Sequence, residues 1–203
     1  MEDEVKKWVI YFKKKINTIN MQNKINQNNV RLNTTQPKVL PSKPDLKTKA
    51  IEKAFNFLKQ PNIEGIKLKS YQCPAGVWTI GIGTTVINGK PVTSNLTITL
   101  KEAEEYCKKD IEKCLNSIWS DVWSYNANQI AAIISFVYNF GYGAWQNSTL
   151  RKIIVANPNN FDAIANQFRR WIYVVDPNTK QKKESNGLIN RRKLEIQLYC
   201  SNI

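Results

Sequence analysis

A chain of 203 residues, 42% hydrophobic and 10% aromatic, suffices for one well-packed domain with an extension but is short for two full domains. A net charge of +14 points to an anionic partner or surface. The absence of histidine excludes Ser-His-Asp and Cys-His hydrolases and histidine-ligated zinc enzymes, so hydrolytic chemistry must run on carboxylates, thiols, hydroxyls or lysine.

In chain order, Val5, Trp8, Val9, Phe12, Ile16 and Ile19 form one face of an expected N-terminal helix within residues 4–28. That helix docks on its own domain or a second copy, or it seeks an anionic envelope or membrane surface; the Asn-rich run 17–33 favours disorder instead. Pro37, Pro41 and Pro44 make 33–47 a linker, so residues 1–47 read as a basic N-terminal arm before a domain over 48–203. The apolar cluster 8–12 is too short for a signal-peptide core of about 7–15 residues. No run approaches the roughly 18 apolar residues of a membrane span. The chain therefore reads as made in the cytoplasm without a recognisable signal peptide.

A helix is expected over 46–59, with Ile51, Ala54, Phe55 and Leu58 on one face and Pro61 beyond its end. Residues 77–82, 86–87 and 91–92 read as short strands, with Asn88-Gly89 as a hairpin turn. Thr99 and Glu102 form a capping box opening a helix to about residue 117. Further helices are expected over 128–139, stopped by Gly141 and Gly143, and over 148–156, 160–173 and 188–200. Residues 176–187 read as a polar exposed loop. A small antiparallel sheet followed mostly by helices makes an α+β domain.

The cysteines Cys73, Cys107, Cys114 and Cys200 show no C-x-x-C spacing, so free thiols are expected rather than a zinc site. Cys107 and Cys114 stand about 10 Å apart along one helix, too far to bridge. Taken alone, Glu64 is a solvated surface carboxylate and Cys73 a small buried hydrophobe. Gly81 and Gly83 alone indicate a bulge or tight packing. Jointly, Glu64, Cys73 and Thr79 in one glycine-punctuated segment supply what glycosidic cleavage needs: a proton for the departing oxygen, and electron density opposite it as positive charge develops. Glu64, with Ile63, Ile66 and Leu68 nearby in sequence, suits the acid. The Thr79 hydroxyl can hold a water. Cys73 as thiolate can deprotonate that water or attack the sugar carbon, and as neutral thiol does either poorly. The order of these residues leaves inverting and retaining routes open.

The run Glu64-Gly65-Ile66-Lys67-Leu68-Lys69-Ser70-Tyr71-Gln72-Cys73-Pro74-Ala75-Gly76-Val77-Trp78-Thr79-Ile80-Gly81-Ile82-Gly83-Thr84 resembles the active-site signature of the phage-type lysozymes, glycoside hydrolase family 24. In that signature Glu is followed after eight residues by Asp or Cys and after five more by Thr. The block 134–141 with Asn147-Ser148-Thr149-Leu150-Arg151 is similar to the family's central buried helix and following turn. Gly187-Leu188-Ile189-Asn190-Arg191-Arg192 is similar to its closing Gly-Leu-x-x-Arg-Arg element.

The resemblance implies a lysozyme-like α+β fold, with a small β-hairpin sheet, a mainly helical lobe and the active-site cleft between them. It implies a monomeric muramidase hydrolysing the β-1,4 bond between N-acetylmuramic acid and N-acetylglucosamine in peptidoglycan, without metal or cofactor. A phage or prophage endolysin of this kind acts on the bacterial wall after release. By the same resemblance Arg191 orients Glu64, and Tyr138, Asn139 and Ser148 line the substrate cleft. The Arg191 placement carries a tension, since a neighbouring guanidinium favours the carboxylate whereas a proton donor must keep its proton.

Two departures stand out. Cys73 takes the carboxylate position, a variant that occurs in the family. Thr84 stands where many members carry histidine, which removes a pairing and puts the hairpin's stability in question. Residues 1–47 match no family element. The alternative reading is a catalytically inactive lysozyme-fold module that binds cell wall. No specific nucleic-acid partner is expected, because the aromatic residues do not interleave with Lys and Arg as stacking platforms would.

Overall fold

The computed structural model describes residues 43–73, 75–176 and 179–201, and Pro41–Ile203 forms one compact unit. The amphipathic helix expected within 4–28 lies outside the described residues. Helix α1 (Lys43–Leu58) begins earlier than expected, inside the segment read as linker. Pro44 is tolerated there because first-turn N–H groups have no intrahelical partner to lose.

Strands β1 (Lys67–Gln72) and β2 (Trp78–Gly81) form an antiparallel ribbon that pairs Tyr71 with Thr79 and Gln72 with Trp78. Strands β3 (Val86–Ile87) and β4 (Lys90–Pro91) follow, joined by Asn88 and Gly89 at φ of 50° and 78°. Two consecutive positive φ values are what a tight hairpin turn matching strand twist demands.

Helix α2 (Leu100–Val122) starts with the expected box: the Glu102 N–H donates to Thr99 Oγ1, and the Glu102 carboxylate accepts from the Thr99 N–H at 2.7 Å. It outruns residue 117 because its apolar stripe continues through Ile118 and Val122. Helix α3 (Ala127–Phe140) carries the central apolar run, buried on every side from Ala127 to Val137. A short α4 (Tyr142–Asn147) forms where the glycines suggested only a break. After it come α5 (Thr149–Ala156) and α6 (Phe161–Phe168).

Helix α6 stops well before residue 173. The segment read as loop instead supplies β6 (Lys182–Glu184), which pairs with β5 (Tyr173–Val175) just before it to make a third ribbon, ahead of α7 (Asn186–Cys200). The β-branched Val174 and Val175 favour extended backbone, and the turn closes through Lys180 at φ 58°. Strand β6 is polar and exposed, so no alternation announced it.

Among the described residues the strands thus form three two-stranded ribbons rather than one sheet. Among the described residues, no helix is long and apolar enough to cross a membrane. Two apolar clusters organise the unit. A small one under the ribbons holds Ile80, Val92, Ile98 and Ala103, and a large one gathers the helices around α3 and includes Ile82. The chain crosses from one cluster to the other at Gly81–Gly83. The site lies at that seam.

Candidate active site

Glu64 is placed by the end of α1. Its N–H donates to the Leu58 carbonyl at 3.2 Å and that of Gly65 to Gln60 at 3.0 Å, with Gly65 at φ +68° turning the chain toward β1. This is how a helix terminated before Pro61 delivers a carboxylate to the seam. The side chain is 19% exposed, so Glu64 is not the solvated surface carboxylate that its residue type alone suggests.

Strand geometry brings Cys73 and Thr79 to one face. Tyr71 and Thr79 are direct cross-strand partners, and Cys73 follows Tyr71 by two residues while its N–H donates to Val77 O at 3.0 Å. Side chains at cross-strand and i, i+2 positions share a face. Tyr71 ties that face to the acid: burial raises its phenol above the usual range, with the nearby charges of Glu64 and Cys73 adding to it. Cys73 is partly buried and free. Thr79 is buried, and its hydroxyl donates to Val77 O at 3.0 Å, leaving its lone pairs as acceptors.

Arg191, from the start of α7, lies beside Glu64 and donates from Nη1 to Oε1 at 2.5 Å. Its other edge is anchored inside α3: Nη2 donates to the Ser135 carbonyl at 3.0 Å, and Nε to Ser135 Oγ and Glu195 Oε1 at 3.3 and 3.2 Å. Glu195 is fully buried. Its Oε1 also accepts from Ser135 Oγ and from Arg192 Nη2, both at 2.7 Å. Arg192 lies over the rings of Phe136 and Phe140, and burial lowers its guanidinium to about 10, leaving it cationic at neutral pH. Buried charges of this kind persist only when paired.

Of the three residues expected along the cleft, two direct polar atoms inward. The Tyr138 hydroxyl donates to Ile82 O at 2.8 Å, and burial raises its phenol well above the usual value. Asn139 Oδ1 accepts from Arg192 Nη2 at 3.2 Å. Ser148 is the N-cap of α5, accepting from the Arg151 N–H at 2.9 Å while donating to Trp145 O. Ser148 also borders a cavity of about 570 Å³ walled by Phe140, Trp171, Tyr173, Arg170 and Lys182 among others. Glu64, Cys73 and Thr79 are not among its lining residues.

Thr84 does not leave the hairpin without a link to the helices. Its hydroxyl is buried and donates to Asp110 Oδ2 on α2 at 3.3 Å, and its backbone exchanges two hydrogen bonds with Ile80. A small hydroxyl thus keeps a tie to α2 at the position where a larger ring was the expectation.

Sequence reasoning missed Ser135, Glu195 and the contact made by Gly83. Glu195 stands four residues after Arg191 and three after Arg192, the spacing at which helical side chains meet, so the signal was present in the chain. Ser135 lay hidden in an apolar run.

A largely buried acid bonded by arginine, with a thiol and a hydroxyl on the neighbouring ribbon, has the residue types that glycosidic cleavage needs. Comparison with known proteins shows the class. The phage lysozyme family model matches residues 61–195, and the chain belongs to that family. The endolysin of Salmonella phage P22 is 34% identical over 140 residues, spanning 68% of this chain and 90% of its own. The solved endolysin of Escherichia coli O157:H7 phage FAHEc1 superposes with a TM-score of 0.65 at 33% identity, covering 78% of this chain and 94% of its own. The muramidase domain of SpmX from Asticaccaulis excentricus, at 23% identity and a TM-score of 0.59, speaks to the fold alone. The chain is a lysozyme-class enzyme that degrades peptidoglycan.

Proposed function

We propose that Glu64 donates the proton in cleavage of the β-1,4 bond between N-acetylmuramic acid and N-acetylglucosamine, with Cys73 and Thr79 acting from the opposite face of the sugar. The observation that carries this reading is the setting of Glu64: mostly buried, fixed by Arg191, and walled by Gly83 just after the ribbon whose strands pair Tyr71 with Thr79. In the step, the glycosidic oxygen takes the Glu64 proton and departs as a hydroxyl while the C1–O bond breaks. Water held by the Thr79 hydroxyl completes the product. Cys73 as thiolate supplies electron density either by taking that water's proton or by adding to C1 before water displaces it. The first route inverts the anomeric configuration and the second retains it.

The cavity beside Ser148 offers Phe140, Trp171 and Tyr173 as faces for sugar rings and Arg170 and Lys182 for carboxylates of the wall polymer. The net charge of +14 concentrates the enzyme on anionic envelopes, an attraction that weakens with salt. Its role is host-cell lysis as an endolysin. The test is digestion of purified peptidoglycan followed by borohydride reduction and mass spectrometry. Reduced muramic acid at the new ends supports the reading, reduced glucosamine overturns the linkage, and no new ends overturns the activity. The initial anomer, read by NMR, distinguishes the two routes.

A further inference from the structure

Glu64 faces a buried guanidinium, yet a proton donor must hold its proton. The remaining charges around Arg191 address this tension. Four charged side chains alternate in sign from Glu64 inward against α3: Glu64, Arg191, Glu195 and Arg192. Glu195 bonds both arginines through one oxygen and is fully shielded from water. Screening by solvent is therefore weak along this chain of charges, and each one is felt by its neighbours.

We infer that Glu195 is a positioning residue for the reaction: with Ser135 it fixes the edge of Arg191 that meets Glu64, and its charge offsets the field of the two arginines, so that Arg191 orients the acid without stripping its proton. This rests on Glu64 being the proton donor. Geometry supports both halves. Arg191 Nε and Nη2 are held by Glu195 and Ser135, so the guanidinium plane is set from behind and Nη1 is left for Glu64. Arg192 approaches Glu195 from the other side, so the carboxylate is the shared counter-ion of both arginines.

The other titratable groups facing Glu64 do not do this work. Tyr71 on β1, Tyr138 on α3 and Cys107 on α2 sense its charge, and burial raises all three, Cys107 to about 12, so they stay neutral through the working range. Asp110, on α2, faces Tyr138 and Cys107. Cys73, just beyond β1, acts on Tyr71, and every variant below leaves it unchanged.

The test is the pH dependence of kcat/KM on purified peptidoglycan for the full chain, alongside thermal unfolding, for Glu195→Gln, Arg192→Met and Glu64→Gln. Removing the Glu195 charge strengthens the positive field at Glu64, so the alkaline limb moves to lower pH by about half a unit or more. Removing the Arg192 charge weakens that field, so the limb moves the opposite way. Loss of packing alone lowers activity at every pH and cannot move the limb in opposite directions. Opposite shifts therefore carry the inference, while unmoved limbs, or limbs that move together, overturn it. If Glu195→Gln does not fold, the double variant Glu195→Gln/Arg192→Met, which removes both charges of the pair, replaces it: an alkaline limb below that of Arg192→Met carries the inference, and one level with it overturns it. Undiminished turnover by Glu64→Gln overturns the proton-donor reading itself, a separate failure.

Discussion

Gly83 stands against Glu64 so closely that a Cβ built on it falls 3.0 Å from both Cδ and Oε2 of the carboxylate, and 3.1 Å from Tyr138 Cε1. Its φ of +83° is itself a conformation that side chains rarely adopt. The backbone there forms one wall of the acid's setting, and only hydrogen fits between wall and acid.

Gly83→Ala should therefore cost activity and stability together. Strain at a positive φ contributes about 1–3 kcal/mol, and relief of the contact must push either Glu64 or Tyr138 aside. Turnover on peptidoglycan should fall at least about 10-fold, as displacement of a reacting group by a fraction of an ångström does. Chemical denaturation and a turbidity assay on the same sample check both. Gly76, whose Cβ would meet nothing within 4 Å, serves as the control for strain without contact.

The cysteines should separate by reactivity. Burial pushes Cys107 and Cys114 up to about 12 and Cys200 to about 11, so at pH 8 their thiolate fractions are about 1 in 1,000 or smaller. Peptide mapping after limited iodoacetamide treatment should find Cys73 modified first, with loss of activity tracking its modification. Earlier labelling at any of the other three would contradict this ordering.

Asp121 should make acid stability depend on pH in a defined direction. Two hydrogen bonds from Arg151, at 2.7 and 2.8 Å, and one from Trp145 Nε1 hold its carboxyl below the usual value of 3.8, with Arg151 the largest cause. A carboxyl whose folded-state value is depressed contributes stability above its unfolded value and loses it as pH falls through the folded one. Asp121→Asn should therefore lower Tm at pH 7 relative to wild type, and the difference should shrink below about pH 3.8. Paired melting curves across pH 2–7 measure it; a constant gap would contradict the ion pair's role.

Much of the fold was legible because local signals agreed with the global one. The Thr99–Glu102 box, the Asn88-Gly89 turn and the apolar run around Ile130 each point to the element that forms. The β5–β6 ribbon was not legible. Lys182, Lys183 and Glu184 bury no face, and their pairing with Tyr173–Val175 rests on backbone hydrogen bonds and an exposed Tyr173–Glu184 side-chain contact, not on apolar packing. At the site, residue order named Glu64, Cys73 and Thr79 but not their surroundings. Glu195 looked like one more solvated helix carboxylate, and only its spacing from two arginines hinted at burial. Gly83 looked like strand punctuation. Its contact is made across a fold, with a residue nineteen positions away, and no local pattern encodes that.

The most direct measurement of the central claim is turnover of purified peptidoglycan by Glu64→Gln, a substitution that keeps the side chain's shape and an oxygen for Arg191 to bond. New reducing ends should fall by about 1,000-fold or more relative to wild type, since an amide cannot deliver the proton. Thermal unfolding run beside it confirms that both proteins are folded. Cleavage by folded Glu64→Gln at a rate near that of wild type would contradict the account.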